Sequence, residues 1–269
     1  MKPLRSVLDF FLYSNLFISL CAAAMTTETY LVLDSEINWL YVSFVLVSSV
    51  ALYNFPVLFF SSNDVHSERS RWVNDNKKVV PVISFPAFAT GGILIFFFPF
   101  RFILLFLSAG AISLAYFFPA TNLRAIPVLK AVVVALVWTC VTYYFPLYLL
   151  DAGAVWRTGL LYFFFLLPLA IAFNIRDVTV DRKAGIRTLP VLLGIQMAKM
   201  ICLIFLLVFA GLVFFLSLEM KQRAALLVSA LVMALLILRS SESRSEYYYS
   251  LWLDGMILLQ FILVVAAKY

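Results

Sequence analysis

The run Met197-Ala-Lys-Met-Ile-Cys-Leu-Ile-Phe-Leu-Leu-Val-Phe-Ala-Gly-Leu-Val-Phe-Phe-Leu-Ser217 carries one charged residue, Lys199, close to its start. Its apolar residues surround any helix drawn through it and do not alternate with polar ones, as a half-buried strand requires. A helix that crosses a bilayer needs roughly 17–25 mainly apolar residues, and this run supplies them. Outward from it the pattern recurs, with apolar runs near 9–29, 39–60, 82–100, 102–118, 128–150, 158–173, 197–217, 224–238 and 251–267. The reading predicts an all-α polytopic membrane bundle of nine transmembrane helices, a single domain over residues 1–269. Strand barrels are excluded, because none of the runs alternates. Only Arg101 separates the third run from the fourth, which predicts a tight hairpin there.

Composition agrees. The chain is 64% hydrophobic and 13% charged, whereas a soluble domain is roughly 45–50% apolar and about 25% charged. With so little charge it cannot cover a water-facing surface, so lipid must face most of it. The net charge of +6 does not form a nucleic-acid face, because the basic residues recur in short loops between apolar runs. Cys21, Cys140 and Cys202 all lie inside apolar runs and imply no disulfide framework. The single histidine, His66, cannot found a histidine metal site.

Lysine and arginine set the orientation. With the N-terminus inside, only Arg101, Arg157, Lys221, Arg223 and Lys268 of the 20 basic residues fall outside. The positive-inside bias therefore predicts a cytoplasmic N-terminus, an external C-terminus and a multi-pass protein of the cytoplasmic (inner) membrane.

Two long polar loops then lie on the cytoplasmic side, 63–80 and 174–196, separated by four runs. This spacing suggests two related four-helix halves and one extra helix. The second loop opens with Asn174-Ile-Arg-Asp-Val-Thr-Val-Asp-Arg-Lys-Ala-Gly-Ile-Arg-Thr-Leu-Pro-Val-Leu-Leu-Gly194. On a helix Asp177 and Asp181 share one face, and their mutual repulsion near lipid is relieved by a divalent cation. Mg²⁺ suits such a pair, since it takes one or two carboxylates and completes its shell with water and phosphate oxygens. Arg176, Arg182, Lys183 and Arg187 surround the pair, and arginine suits bidentate phosphate contact. A charged, solvated loop obeying the positive-inside bias explains the same residues equally well.

Asn174, Arg176-Asp177, Asp181-Arg182, Gly185, Thr188-Leu189 and Gly194 resemble the second aspartate motif of the UbiA superfamily of intramembrane prenyltransferases. Tyr116-Phe-Phe-Pro119, followed by Arg124, Pro127 and Lys130, is similar to the segment joining that family's fourth and fifth helices, and the nine-run count matches its fold. The resemblance implies transfer of an isoprenyl group from its diphosphate to a lipid-soluble acceptor at the cytoplasmic membrane face. It implies Asp177 and Asp181 as catalytic Mg²⁺ ligands, and Lys130, Arg182, Lys183, Arg187 and Arg124 as diphosphate contacts. Tyr116 and Asn174 are expected to line the substrate cavity.

The family's first aspartate motif, Asn-Asp-x-x-Asp-x-x-x-Asp, is degenerate here. A frame starting at Asn54 puts Phe55, Leu58 and Ser62 in its acidic positions; one starting at Asn63-Asp64 retains Asp64 but continues with Ser67 and Arg71. Asn54, Asn63 and Asp64 are the remnants. This loss motivates a second reading, a catalytically altered member that binds an isoprenoid lipid or serves as a subunit of a membrane complex with a protein partner.

Within the runs themselves, Asn15 either faces the cavity or makes an interhelical contact. Asp254, in the last run, is an intramembrane carboxylate and hence a functional residue by default; pairing with an arginine on a neighbouring helix is the competing expectation. Gln260 is expected to hydrogen-bond between helices. Glu28 is expected in a solvated external loop.

Overall fold

A computed structural model describes residues 2–59, 68–117, 128–153, 156–216 and 218–269, with the side chains of 2–4 and 114–117 left out. Among the described residues the chain is all helical, without strands. We number the helices α1 Lys2–Tyr13, α2 Leu16–Val32, α3 Trp39–Phe59, α4 Glu68–Asp75, α5 Val79–Phe97, α6 Phe100–Phe117 and α7 Leu129–Leu149. Then follow α8 Trp156–Arg176, α9 Val178–Lys183, α10 Leu189–Leu193, α11 Ile195–Phe215, α12 Met220–Arg239 and α13 Tyr248–Lys268.

Among the described residues seven helices (α3, α5, α7, α8, α11, α12 and α13) are long and apolar enough to cross a membrane, and the count rises to eight if α1 and α2 form one bent span. Helix α6 is apolar but shorter over its described part, Phe100–Ser113. A helix thus stands at each of the nine apolar runs. The first run is not straight: its two halves meet at 64°. The hinge residue is Asn15, with φ 64°, in the left-handed region that asparagine tolerates better than most residues. Between α5 and α6 the chain turns at Phe98 and Pro99 rather than at Arg101, which lies inside α6. Phe98 is extended, as the residue before a proline prefers to be.

Helix α8 is the axis of the bundle. In its most apolar window 72% of the residues are buried, against 17–39% in the other six spans. Lipid is as apolar as leucine, so contact among helices depends on close packing and on polar groups that bond across them. Both are present. Phe165 and Ile171 of α8 pack with Phe209 of α11, Met233 of α12 and Leu253 of α13 in the main core. A second core of Tyr30, Tyr41, Phe44, Phe98, Phe102 and Phe145 joins α2, α3, α6 and α7. In α7 a wide π turn at Cys140–Tyr144 leaves carbonyls for other helices: Tyr41 Oη donates to Val141 O at 2.7 Å and Thr29 Oγ1 to Thr142 O at 2.6 Å.

Glu28 departs from expectation. It lies inside α2, 1% exposed, and Oε1 accepts from Gln260 Nε2 at 2.9 Å while Gln260 Oε1 accepts from Ser229 at 3.1 Å. The run that contains it continues three residues past the expected end, and that turn carries the carboxylate into the bundle. Gln260 does bond between helices, as expected.

The bend at Asn15 is held by a buried amide pair. Asn15 Nδ2 donates to Asn54 Oδ1 at 2.7 Å and to Tyr53 O at 3.2 Å, while Asn54 Nδ2 donates to Ser14 O at 3.0 Å. Asn54 is fully buried, so its replacement strands two polar groups. Asn54→Ala is expected to destabilise the protein by about 1–3 kcal/mol, read as a lower apparent Tm in detergent; an unchanged melting profile contradicts this role.

Candidate active site

The site forms where α8 ends. At Asp177 the backbone leaves the helical region (φ −87°, ψ 4°) and α9 starts from it, with the Asp181 N–H donating to Asp177 O at 2.8 Å. The two carboxylates therefore stand one turn apart on one face, as their spacing demands. Gly185, at φ 71°, then reverses the chain, and the Ile186 N–H closes the turn on Asp181 O at 2.8 Å.

Lys130, in the first turn of α7, enters between the carboxylates. Its Nζ lies 3.1 and 3.2 Å from the two oxygens of Asp181 and 3.6 Å from Asp177 Oδ2. Two residues earlier Val128 has φ 65°, a strained conformation for a β-branched side chain, and its N–H donates to Arg187 O at 3.2 Å. That bond ties the start of α7 to the loop after α9. On the other side Arg176 donates from Nε to Asp177 Oδ1 at 2.7 Å and from Nη2 to Oδ2 at 3.3 Å. Its Nη1 reaches Glu246 Oε1 at 3.4 Å, and the guanidinium lies over the rings of Phe173 and Tyr249.

The carboxylates differ in character. Burial works to raise Asp177, but Arg176 and then Lys130 overcome it and hold the carboxyl below its usual range. Burial raises Asp181, only 3% exposed, above that range against the pull of Lys130.

A third cation comes from α4. Arg69 Nη2 donates to Asn15 Oδ1 at 3.0 Å, so the amide pair at the hinge also seats a guanidinium inside the bundle. The α4 helix is held over α1: Phe10 and Tyr13 both contact Trp72, and Tyr13 Oη donates to Glu68.

The sequence-derived residues divide accordingly. Asp177, Asp181 and Lys130 converge. Arg182, Lys183 and Arg187 are exposed and make no ion pair with either carboxylate among the described residues. Asn174 is buried on α8, one turn before Asp177. Asn15 is buried at the hinge. Asn63, Asp64, His66 and Arg124 lie outside the described residues, as does the side chain of Tyr116. Asp254 is buried on α13 and makes no direct ion pair among the described residues, although Arg176 and Arg69 both act on it electrostatically. Glu246, absent from the sequence reading, bridges α13 to the centre; nothing in its local sequence marks it.

Asp177 and Asp181 are also what the site offers a metal. Among the described residues no group of three or more acidic, histidine or cysteine side chains converges. Two carboxylates with a cation lodged between them nevertheless suit Mg²⁺, which needs one or two such ligands.

A profile of the UbiA prenyltransferase family matches residues 77–261. That is more than half of the chain, which therefore belongs to this family. Among solved structures, a UbiA homolog from Archaeoglobus fulgidus bound to GPP and Mg²⁺ superposes with a TM-score of 0.69 at 14% identity, over 97% of this chain and 99% of that one. The same organism's homolog bound to Cd²⁺ gives 0.65 at 16% identity, with coverage of 97% and 99%. An apo UbiA homolog from Aeropyrum pernix K1 gives 0.58 at 14%, with 95% of each chain covered. At these identities the likeness establishes the fold. Against curated proteins the chain has no significant sequence match.

The ion pairs of Asp177 make stability depend on pH with a definite sign. A carboxyl held below its ordinary range contributes stability that is present above the unfolded value and lost as pH falls through the folded one. Acidification across and below the ordinary carboxylate range is expected to lower the apparent Tm, and Asp177→Asn to flatten that acid limb. A variant with the wild-type acid limb contradicts the assignment.

Proposed function

We propose that this chain is a Mg²⁺-dependent prenyltransferase that moves an isoprenyl group from its diphosphate to a lipid-soluble acceptor. The observation that carries the reading is the cation held between Asp177 and Asp181 at the end of the central helix, in a chain of the UbiA prenyltransferase family. The Archaeoglobus fulgidus homologs described with GPP or DMAPP and Mg²⁺ support the choice of ligand.

In this reading Asp177 and Asp181 hold Mg²⁺, and Lys130 turns its ammonium from the carboxylates to a phosphate oxygen. The metal, when bound, supplies positive charge to the departing diphosphate. Arg176 keeps Asp177 ionised and oriented, and Arg69 adds a fixed positive charge from α4. A diphosphate of about three negative charges in a low-dielectric site needs such counter-charges set in place beforehand. The apolar interior takes the prenyl tail.

We further propose a nine-span topology in the cytoplasmic membrane, with α1–α2 as one broken span, α6 as another, and the site at the cytoplasmic face. The positive-inside distribution supports this orientation. In sealed inverted and right-side-out vesicles, a cysteine replacing Lys183 is expected to react with an impermeant maleimide only from the cytoplasmic side, and one replacing Arg157 only from outside. The reverse pattern overturns the orientation.

The deciding measurement is a titration of purified protein with geranylgeranyl or farnesyl diphosphate, with and without Mg²⁺. Binding is expected to need the metal and to weaken at least about tenfold, about 1.4 kcal/mol, in the Asp177→Asn/Asp181→Asn double variant. Asn54 at a position where the family's first motif begins, with no acid at Phe55 or Leu58, favours a second reading, a member that binds an isoprenoid lipid or a protein partner without turnover. Absence of metal-dependent diphosphate binding, together with a stoichiometric co-purifying subunit, decides for that reading.

A further inference from the structure

Asp254 is a costly residue that the arrangement above leaves unused. It lies on α13 about two helical turns deeper than Glu246, is 9% exposed, and its carboxylate accepts no hydrogen bond from the described residues. A carboxylate kept in the membrane with neither a hydrogen bond nor a direct ion pair serves no packing purpose, and such groups are functional by default.

Its backbone is specialised as well. The π turn Tyr248–Leu253 closes on it, with the Asp254 N–H donating to Tyr249 O at 3.1 Å. Turns of this kind are frequent at functional sites. The main chain here is tied to α2, with Cys21 Sγ donating to Asp254 O at 3.5 Å. Because a helical Cα–Cβ bond tilts toward the helix N-terminus, the carboxylate points back toward the end where Glu246 and Arg176 pair. The ionisable groups that act with it are Arg176 from α8, Arg69 from α4, Tyr53 from α3 and Cys21 from α2. Arg176 is also the partner of Asp177. Asp254 therefore lies deeper in the bundle than the pair of Arg176 with Asp177 and Glu246, on the side into which, in the reading above, a prenyl chain leads away from its diphosphate.

We propose that Asp254 accepts the proton that the acceptor sheds when it is prenylated. This rests on the prenyl-transfer reading above. In that step the allylic carbon–oxygen bond breaks and its electron pair leaves on the diphosphate. A pair from the acceptor, the π bond of an electron-rich ring or a lone pair of a hydroxyl, forms the new bond to carbon. The acceptor's proton passes to an Asp254 oxygen and then to water. The acceptor is thus a proton-bearing nucleophile that is electron-rich, a phenol-like ring or an alcohol.

The test uses full-length protein with geranylgeranyl diphosphate and Mg²⁺, and measures diphosphate release with water, a primary alcohol, a phenol or a naphthol as acceptor. In Asp254→Asn the Kd for the diphosphate is expected to stay within about twofold. Turnover with the best acceptor is expected to fall about 10²–10⁴-fold, the range for a lost general base. The acid limb of the kcat–pH profile should change shape, because only the part set by Asp177 and Asp181 remains, and Asp254→Glu should restore part of the rate. Turnover of Asp254→Asn within tenfold of wild type overturns the inference. So does loss of diphosphate binding in that variant, which makes the residue structural, or wild-type binding without turnover of any acceptor. Failure of the wild type to bind the diphosphate at all falls instead on the prenyl-transfer reading, and removes this inference with it.

Discussion

Putting opposite charges next to one another before they leave water is the constraint that shapes this molecule. An uncompensated ion inside a membrane costs several kcal/mol, and the C-terminal end of α8 leads directly into two carboxylates. Lys130 lies between Asp177 and Asp181, and Arg176 clamps Asp177 from the other side. These partners come from the start of α7 and the end of α8, so both termini must meet in register for the charges to cancel. The burial of α8 at the bundle axis, the turn at Gly185 and the strained Val128 all serve that meeting. The same arrangement prepares a chemistry of charge: what neutralises a carboxylate pair in the resting protein can be redeployed toward a phosphate when a metal takes over the carboxylates.

The all-helical, membrane-spanning character was legible because continuous apolar runs carry their own length scale, although among the described residues seven helices, not nine, are individually long and apolar enough to cross. What a run cannot show is whether its helix stays straight. The bend at Asn15 comes from one residue in the left-handed region, and the π turns at Cys140–Tyr144 and Tyr248–Leu253 shift the register without changing composition. Helix α4 was read as loop, since eight residues without an apolar stripe give no periodic signal. Glu28 was placed in water because a boundary displaced by one turn moves a carboxylate from solvent into the core.

The site was legible in part, for a related reason. Asp177 and Asp181 stand four apart and must share a face, whereas Arg182 and Lys183, their nearest cations in sequence, turn away from it and are exposed. The cations that reach the pair are Lys130, from 51 residues away, and Arg176, whose side chain folds back along its own helix end. Proximity along the chain was a poor guide to proximity in space except where helical geometry converts one into the other. Glu246 and Arg69, drawn in by long-range pairing, left no local trace of that role.

The amide clamp at the hinge has a meaning for how such a sequence can change over time. Asn15 at the hinge between α1 and α2, Asn54 on α3 and Arg69 on α4 share one unbroken chain of hydrogen bonds. A drift at Asn15 strands both of the others, and a drift at either of those removes a partner of Asn15, so the three are bound into one heritable character through Asn15. Among descendants of this sequence the three should be kept as a set or exchanged as a set.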